Sequence, residues 1–447
     1  MKEISIYPGK LISGCYDEIL AGPPEFYSRV AWASGGIAKF RVYRRWIYAI
    51  ADPEFLHQIL VPRQKNYPKG AIYQNLEQMI GRGLVSLQGD EWINDRRVIQ
   101  PGFHKKCIVS MVATTNRACD RIFAQWDTDA TAYRAVVPAV REIGLQVISE
   151  TLLGTTLAAA QSARLSETLL AAGQTLTRKN WSLIQLPEHW PTPLNRKLKR
   201  LRETMIGFLA QQVERRLAEG IGARGDMLDL LLSAHAEGNL PKDRILSEML
   251  TLFSAGYDTT SGGLSWAIYY LASHPEIQER LRAEVRREVG ARPPEWDDLE
   301  RLPFTEAVFN EAIRLNAPVH TISRTNVEED QLGEYRLPAG SLLMLSLHGA
   351  NRSSRHWDQP DVFNPDRYAT ASDSVAAQLA WLPFSSGSRR CIGAQFATVE
   401  AKIVLARLVQ AYRLELQPAT RVQTSISAAQ HPENLFVRFA KVDPTAT

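Results

Sequence analysis

Five stretches of this 447-residue chain place apolar residues at three- and four-residue intervals: Arg117 to Trp126, Ala139 to Leu153, Leu165 to Thr177, Asn195 to Glu219 and Ile245 to Ser273. That spacing gathers apolar side chains on one face of a helix, so the middle of the chain reads as packed helices. The flanks read differently. Two short β-like runs, Gly36 to Tyr43 and Arg45 to Ala51, stand between turn residues. Short strands and irregular loops return after Glu334, including the proline-rich run from Asp358 to Asp366. The expected fold is mainly α with a small β lobe, in one domain: a β-rich N-terminal region over about 1–62 and a helical body over about 63–447. No repeat or low-complexity linker divides it.

With 45% hydrophobic and 22% charged residues and no biased tract, the composition is that of a globular protein with a large core. A net charge of +4 is too small to argue for nucleic-acid binding. The four cysteines, Cys15, Cys107, Cys119 and Cys391, form neither a CxxC pair nor a disulfide framework, which points to a reducing compartment. No uncharged apolar run approaches the length of about eighteen residues that a membrane span needs, so the expectation is a soluble, cytoplasmic protein without a transmembrane anchor.

The run Phe384-Ser-Ser-Gly387-Ser-Arg389-Arg-Cys391-Ile-Gly393 sets one cysteine at the end of a glycine-bearing loop, directly before a helix-like stretch from Ala394. A helix N-terminus and the Arg389 cation both favour a thiolate there. Gly387 can take the positive φ of a sharp loop, Gly393 and Ala394 leave room for a flat ligand, and Phe384 can pack beside the sulfur. By itself Cys391 reads equally well as a small buried hydrophobe.

The order F-x-x-G-x-R-x-C-x-G resembles the haem-ligand signature of the cytochrome P450 family, with five fixed positions in ten residues. The resemblance implies that Cys391 is the axial ligand of a haem b iron, with Phe384 and Gly393 around it. Thiolate ligation in this family pushes electron density onto iron and favours O–O cleavage. Ala255-Gly256-Tyr257-Asp258-Thr259-Thr260 resembles the family's oxygen-activation motif at every position. It implies that Ala255 lies against the haem and that Gly256 opens the helix ladder for water and dioxygen. Thr259 would then hydrogen-bond the oxygen being activated while Asp258 relays protons. Read from its residues alone, the same stretch is as well explained by a solvent-facing Asp on a kinked helix.

Glu311-Ala-Ile-Arg314 and the later Phe363-Asn-Pro-Asp-Arg367-Tyr resemble the family's E-x-x-R and second-arginine motifs. They imply a buried Glu311–Arg314–Arg367 cluster that holds the Cys391 loop. Trp92 and Arg96, in a W-x-x-x-R register, and Arg324 and Arg389 match positions that serve the haem propionates, with Lys69 a further candidate. Lys105, Lys106, Arg352 and Arg390 are candidates for a patch receiving an acidic electron donor. The basic run from Arg196 to Arg202 reads as a solvated helix face. For substrate, Met79, Ile80, Leu84, Leu252, Tyr257, Val319 and Ile322 favour an apolar molecule, and His320 and Ser254 offer polar contacts; any of them reads equally as core.

Together these resemblances imply a soluble, bacterial-type haem-thiolate monooxygenase with the family's triangular helical prism. It would be a monomer that hydroxylates a small apolar substrate using dioxygen and NAD(P)H. Electrons would come from a separate ferredoxin or flavodoxin and its reductase, with no nucleic-acid partner. The alternatives are a peroxide-driven peroxygenase or another haem-thiolate enzyme, and, in a different class, a haem sensor.

Overall fold

The computed structural model describes residues 2–70, 72–127, 129, 131–180, 182, 186–187, 189–370, 375–426 and 428–442. Its contacts divide the chain into two compact units, each built from two separate stretches: Met1–Gln74 with Asn310–Cys391, and Asn75–Phe309 with Ile392–Thr447.

The first unit carries a four-stranded sheet in the order Ile37–Val42, Arg45–Ile50, Leu342–Ser346, Thr321–Thr325. The first two strands form an antiparallel hairpin, the second pairs in parallel with Leu342–Ser346, and the last pair is antiparallel. The β-rich part is thus not confined to the N-terminus, because the strands near 321–346 complete the sheet begun by the hairpin. Ile37, Ile50, Leu343 and Leu345 are fully buried and pack with Leu56, Ile59, Leu332 and Leu337 as its core. Two helices, Pro23–Trp32 and Pro53–Leu60, lie where the periodicity suggested only strands and turns. Their prolines occupy the first turn of each helix, where a missing N–H costs nothing. The second helix is also capped by Asp52, whose carboxylate accepts from the N–H groups of Glu54 and Phe55.

In the second unit all five expected helices are present: Lys105–Trp126, Val136–Leu153, Ala159–Asn180, Pro193–Glu219 and Lys242–Ser273. Each starts earlier than the periodicity indicates. The helix Lys242–Ser273 runs unbroken through Gly256. A Cβ on Gly256 would come within 2.7 Å of Ile148, and one on Gly144 within 2.9 Å of Ser261 Oγ. These glycines therefore serve the close approach of Val136–Leu153 to the long helix, rather than opening its ladder as expected. The helix Ala394–Ala411 packs in the same bundle, and the hairpin Gln423–Ile426/Gln430–Glu433 lies on the long helix, where Gly262 leaves no room for a side chain beside Gln430 O.

Glu400, on Ala394–Ala411, is buried, and its Oε1 finds no partner among the described residues. Burial pushes its carboxyl up to about 8, so it is neutral at pH 7. The unfolded chain ionises this group near pH ~4.3, so native stability is greatest below that value. It falls as pH rises toward the folded value of about 8. Glu400→Gln, which is always neutral, should match the wild type in thermal unfolding at the acid end. At pH 8 it should exceed it by an amount on the order of a few kcal/mol; parallel profiles across that range would contradict a neutral Glu400.

Candidate functional site

In the first unit, Cys391 closes a loop whose shape depends on two residues of positive φ, Ser385 at 58° and Gly387 at 74°. A Cβ on Gly387 would stand 2.1 Å from the Leu60 carbonyl oxygen, so only glycine fits. The 3-10 turn Gly387–Arg389 carries the chain to Cys391, whose N–H returns to the Phe384 carbonyl at 3.0 Å. Phe384 stacks edge-on to Trp381, with ring centroids 5.8 Å apart. The loop leaves the body of the unit through the Leu382 N–H, which donates to Asn351 Oδ1 at 2.7 Å. Cys391 itself is exposed, unlike the buried Cys15 and Cys119. The buried-hydrophobe reading of this residue therefore fails.

Glu311, Arg314 and Arg367 come together as a buried cluster. Arg314 Nε and Nη2 donate to Glu311 Oε2 and Oε1 at 2.7 and 2.9 Å, and Arg367 Nε donates to Oε1 at 2.8 Å. The Asn364 N–H adds a fourth bond at 3.0 Å. The guanidinium arms left over reach main-chain carbonyls: Arg314 Nη1 donates to Asn351 and Pro360, and Arg367 to Asp358 and Val362. Both guanidinium groups also lie over the Trp357 ring, at 5.1 and 5.7 Å. Asn351 thus links the cluster to the Cys391 loop, its carbonyl held by Arg314 and its side chain holding Leu382. No local spacing in the sequence pointed to Asn351.

Arg324 lies on the strand Thr321–Thr325 and is buried, 5% exposed. Its Nη1 donates to the Ser323 carbonyl at 2.7 Å, and among the described residues no carboxylate pairs with it. A buried guanidinium lacking an anion is costly unless a ligand supplies one. Arg389 stands on the 3-10 turn two residues before Cys391. Val319 is exposed and Ile322 half-buried, while His320 Nδ1 shares a hydrogen bond with Thr321 Oγ1 at 2.8 Å. Arg352 is not an open surface cation: it pairs with Asp361 and donates to the Leu315 carbonyl at 2.9 Å.

In the second unit, the long helix is buried over most of its middle, yet Ala255 is exposed and Gly256 and Thr259 are half-exposed. Ala255 and Thr259, one turn apart, lie on a face that no described residue fully covers, whereas Gly256 is backed by Ile148. Thr259 Oγ1 donates to the Ala255 carbonyl at 2.7 Å. Tyr257 points the other way, buried, with its hydroxyl 2.5 Å from Ser166 Oγ, and so belongs to the core and not to a ligand surface. Asp258 is also buried. His431 Nε2 and Arg141 Nη2 bond its Oδ1 at 2.8 and 3.1 Å, and the Ala429 N–H donates to Oδ2 at 3.0 Å. Burial alone would raise this carboxyl, but the hydrogen bond and charge of His431, with Arg141 and the Ala429 N–H, outweigh it and hold it at about 2. Neither His431 nor Arg141 was legible as a partner, since they lie 173 and 117 residues away in sequence.

Trp92 and Arg96 share one side of the helix Gly89–Ile99, the guanidinium 5.9 Å from the indole centroid. Gly393 is the N-cap of Ala394–Ala411, without a side-chain cap, and among the described residues a Cβ there would meet Phe103, at 3.7 Å. The 196–202 run is a solvated face as expected, with Arg196, Lys197, Lys199 and Arg200 exposed and Leu198 buried. Lys105 lies over the Trp296 ring at 5.4 Å.

Glu311 neutralises two buried guanidinium groups at once. Glu311→Gln should therefore destabilise the protein by about 3–5 kcal/mol, the cost of leaving buried charge uncompensated. A denaturant midpoint within error of the wild type would show that the cluster carries no such weight.

The family model for cytochrome P450 matches residues 17–439. Cyclooctatin synthase of Streptomyces melanosporofaciens is 28% identical over 424 residues, covering 94% of this chain and 92% of its own. Pentalenene oxygenase of Streptomyces avermitilis is 28% identical over 436 residues, covering 96% and 95%. In fold, the chain is similar to the heme domain of a cytochrome P450DA mutant, with a TM-score of 0.88 and 22% identity over 99% of both chains. An exposed cysteine on a clasped glycine loop, a buried arginine lacking an anion and a match that spans nearly the whole sequence lead to one conclusion: this chain belongs to the cytochrome P450 family, a family of haem-dependent oxidoreductases.

Proposed function

We propose that the protein is a haem-thiolate monooxygenase that inserts one atom of dioxygen into an apolar small molecule, with NAD(P)H electrons delivered by a separate ferredoxin- or flavodoxin-type donor. The observation that carries this reading is Cys391, a thiol held exposed at the end of a loop anchored through Asn351 to the Glu311 cluster. The residues fit a haem. Cys391 would ligate its iron, Phe384 would shield the sulfur and Gly393 would leave room beside it. Arg324, Arg389, Trp92 and Arg96 would take its propionates, an anion of the kind Arg324 lacks. Bound there, the haem supplies the electron transfer and oxygen activation that no side chain can.

The chain's own residues supply the rest. Ala255 and Thr259 lie on a partly exposed face of the long helix, the face that would meet the ligand. The Thr259 hydroxyl now rests on the Ala255 carbonyl and can exchange that bond for one to a reacting oxygen. Asp258, held at about 2, stores no proton at pH 7, so its part is to accept a proton and pass it on. The apolar substrate accords with pentalenene oxygenase, whose name gives pentalenene as what it oxidises, and with the buried Met79, Ile80, Leu84 and Leu252.

Turnover should require NAD(P)H, dioxygen and a redox partner; product formed as fast with hydrogen peroxide alone would favour the peroxygenase reading instead. Thr259→Ala should still bind haem and substrate, but lose about a hundredfold in product rate, the low end for a lost proton-transfer group. The missing electrons should appear as hydrogen peroxide. Unchanged coupling of NAD(P)H use to product would remove Thr259 from this role.

A further inference from the structure

The N-terminal part of the first unit exposes apolar side chains that nothing in the proposed reaction uses. Leu11 and Ile12 are 88% and 81% exposed, and Ile6 and Trp46 follow at 59% and 47%. A single exposed leucine is ordinary, but a group of large apolar side chains on one tip calls for a reason.

These side chains are held outward by a rigid frame. Lys10 and Gly14 exchange both main-chain hydrogen bonds at 3.0 Å, so Leu11 and Ile12 sit at the tip of a closed turn. Gly14 has φ +62°, and a Cβ there would meet the Arg41 carbonyl oxygen at 2.0 Å, so the turn is pressed directly onto the strand Ile37–Val42. The Cys15 N–H donates to that carbonyl at 2.8 Å, the Tyr43 N–H donates to Ser13 at 3.2 Å, and the Arg41 guanidinium donates to the Leu11 carbonyl at 2.6 Å. Arg41 is in turn the cross-strand partner of Trp46, and Ile6 bridges to Lys39 on the same strand. The turn and the tip of the 37–50 hairpin therefore form one projecting surface.

Its charges are one-sided. Lys39 lies over the Trp46 ring at 5.8 Å, and Arg41, Arg44 and Arg45 stand at or beside the hairpin tip. None of these four cations pairs with a carboxylate among the described residues. The nearby acids are already engaged, Asp17 by Lys10 at 2.6 Å and Glu18 by Arg29 at 2.6 Å. Two convex turns with an aliphatic tip, a tryptophan at the rim and a collar of unpaired cations suit a deformable anionic surface. A folded protein partner would need a matching cavity.

We propose that this tip is a peripheral docking site for anionic lipid bilayers: Leu11 and Ile12 enter the acyl boundary, Trp46 lies at the headgroup level, and Lys39, Arg41, Arg44 and Arg45 face lipid phosphates. No helix among the described residues is long and apolar enough to cross a membrane, so the contact is superficial and reversible.

The test is sedimentation of the full-length holoprotein with vesicles of mixed phosphatidylglycerol and phosphatidylcholine, and with vesicles of phosphatidylcholine alone. The wild type should bind the anionic vesicles, more weakly as salt rises, and bind the neutral ones poorly. Leu11→Ser with Ile12→Ser should cut the partition coefficient by about tenfold or more. Arg44→Glu with Arg45→Glu should abolish the preference for anionic vesicles. All four side chains lie outside the core, so thermal midpoints and haem content should match the wild type and separate lost docking from lost fold. Absence of vesicle binding at low salt, or binding indifferent to both double variants, overturns the proposal. So does concentration-dependent self-association that the Leu11/Ile12 variant abolishes, since the tip would then be covered by a second copy.

Discussion

Glu311 is the point on which the first unit turns. Its carboxylate is fully buried and receives two guanidinium groups and a backbone N–H. Such an arrangement is stable only when complete, because any missing member leaves a charge in a medium that cannot solvate it. Completeness is what gives it positional force. Arg314 and Arg367 spend their remaining N–H groups on the carbonyls of residues 351, 358, 360 and 362, which fixes the irregular stretch between the last strand of the sheet and the Cys391 loop. Asn351 then carries that order to Leu382, nine residues before the cysteine. A thiolate ligand must meet its metal at one distance and one angle, and a loop of glycine and serine has no intrinsic reason to hold either. The cluster provides the reason.

The second unit solves a different problem. Its long helix must be packed closely on one side and left uncovered on another. Gly144 and Gly256 allow the first, and the small side chain of Ala255, one turn from Thr259, allows the second. Asp258 lies next to that open face but is turned from it, tied to Arg141, Ala429 and His431. The two neighbours Asp258 and Thr259 thus have opposite surroundings, one locked in a buried ion pair and one facing open space. Arg141 and His431 hold Asp258 in this turned position.

What the sequence made legible follows from how far apart the interacting residues are. The long helices were visible because their apolar periodicity is local, and the Cys391 loop because its glycines, arginine and cysteine fall within ten residues. The Glu311–Arg314 pair alone would have looked like a common surface pair; only the resemblance of this pair and of the Arg367 motif to the cytochrome P450 family implied burial, and the geometry shows it. Asn351, Arg141 and His431 were not legible, since a hydrogen bond between residues separated by 31, 117 or 173 positions leaves no spacing to read. Gly256 was legible as unusual but misread. A glycine within a helix can mark either an opened ladder or a close neighbour, and only the position of Ile148 decides for the second. The N-terminal helices were missed because each is short, ten and eight residues, and the neighbouring β-like runs set the reading of that region.

The central claim is that Cys391, presented by this clasped loop, is the thiolate ligand of a haem. The most direct measurement is the absorption spectrum of the reduced, carbon monoxide-bound protein. A thiolate opposite carbon monoxide shifts the Soret band far to the red, and the wild type should show that band, with Cys391→Ser losing it while the overall fold is kept. A Soret band at the position typical of histidine-ligated haem in the active wild-type protein, or a red-shifted band that survives in Cys391→Ser, would contradict the account.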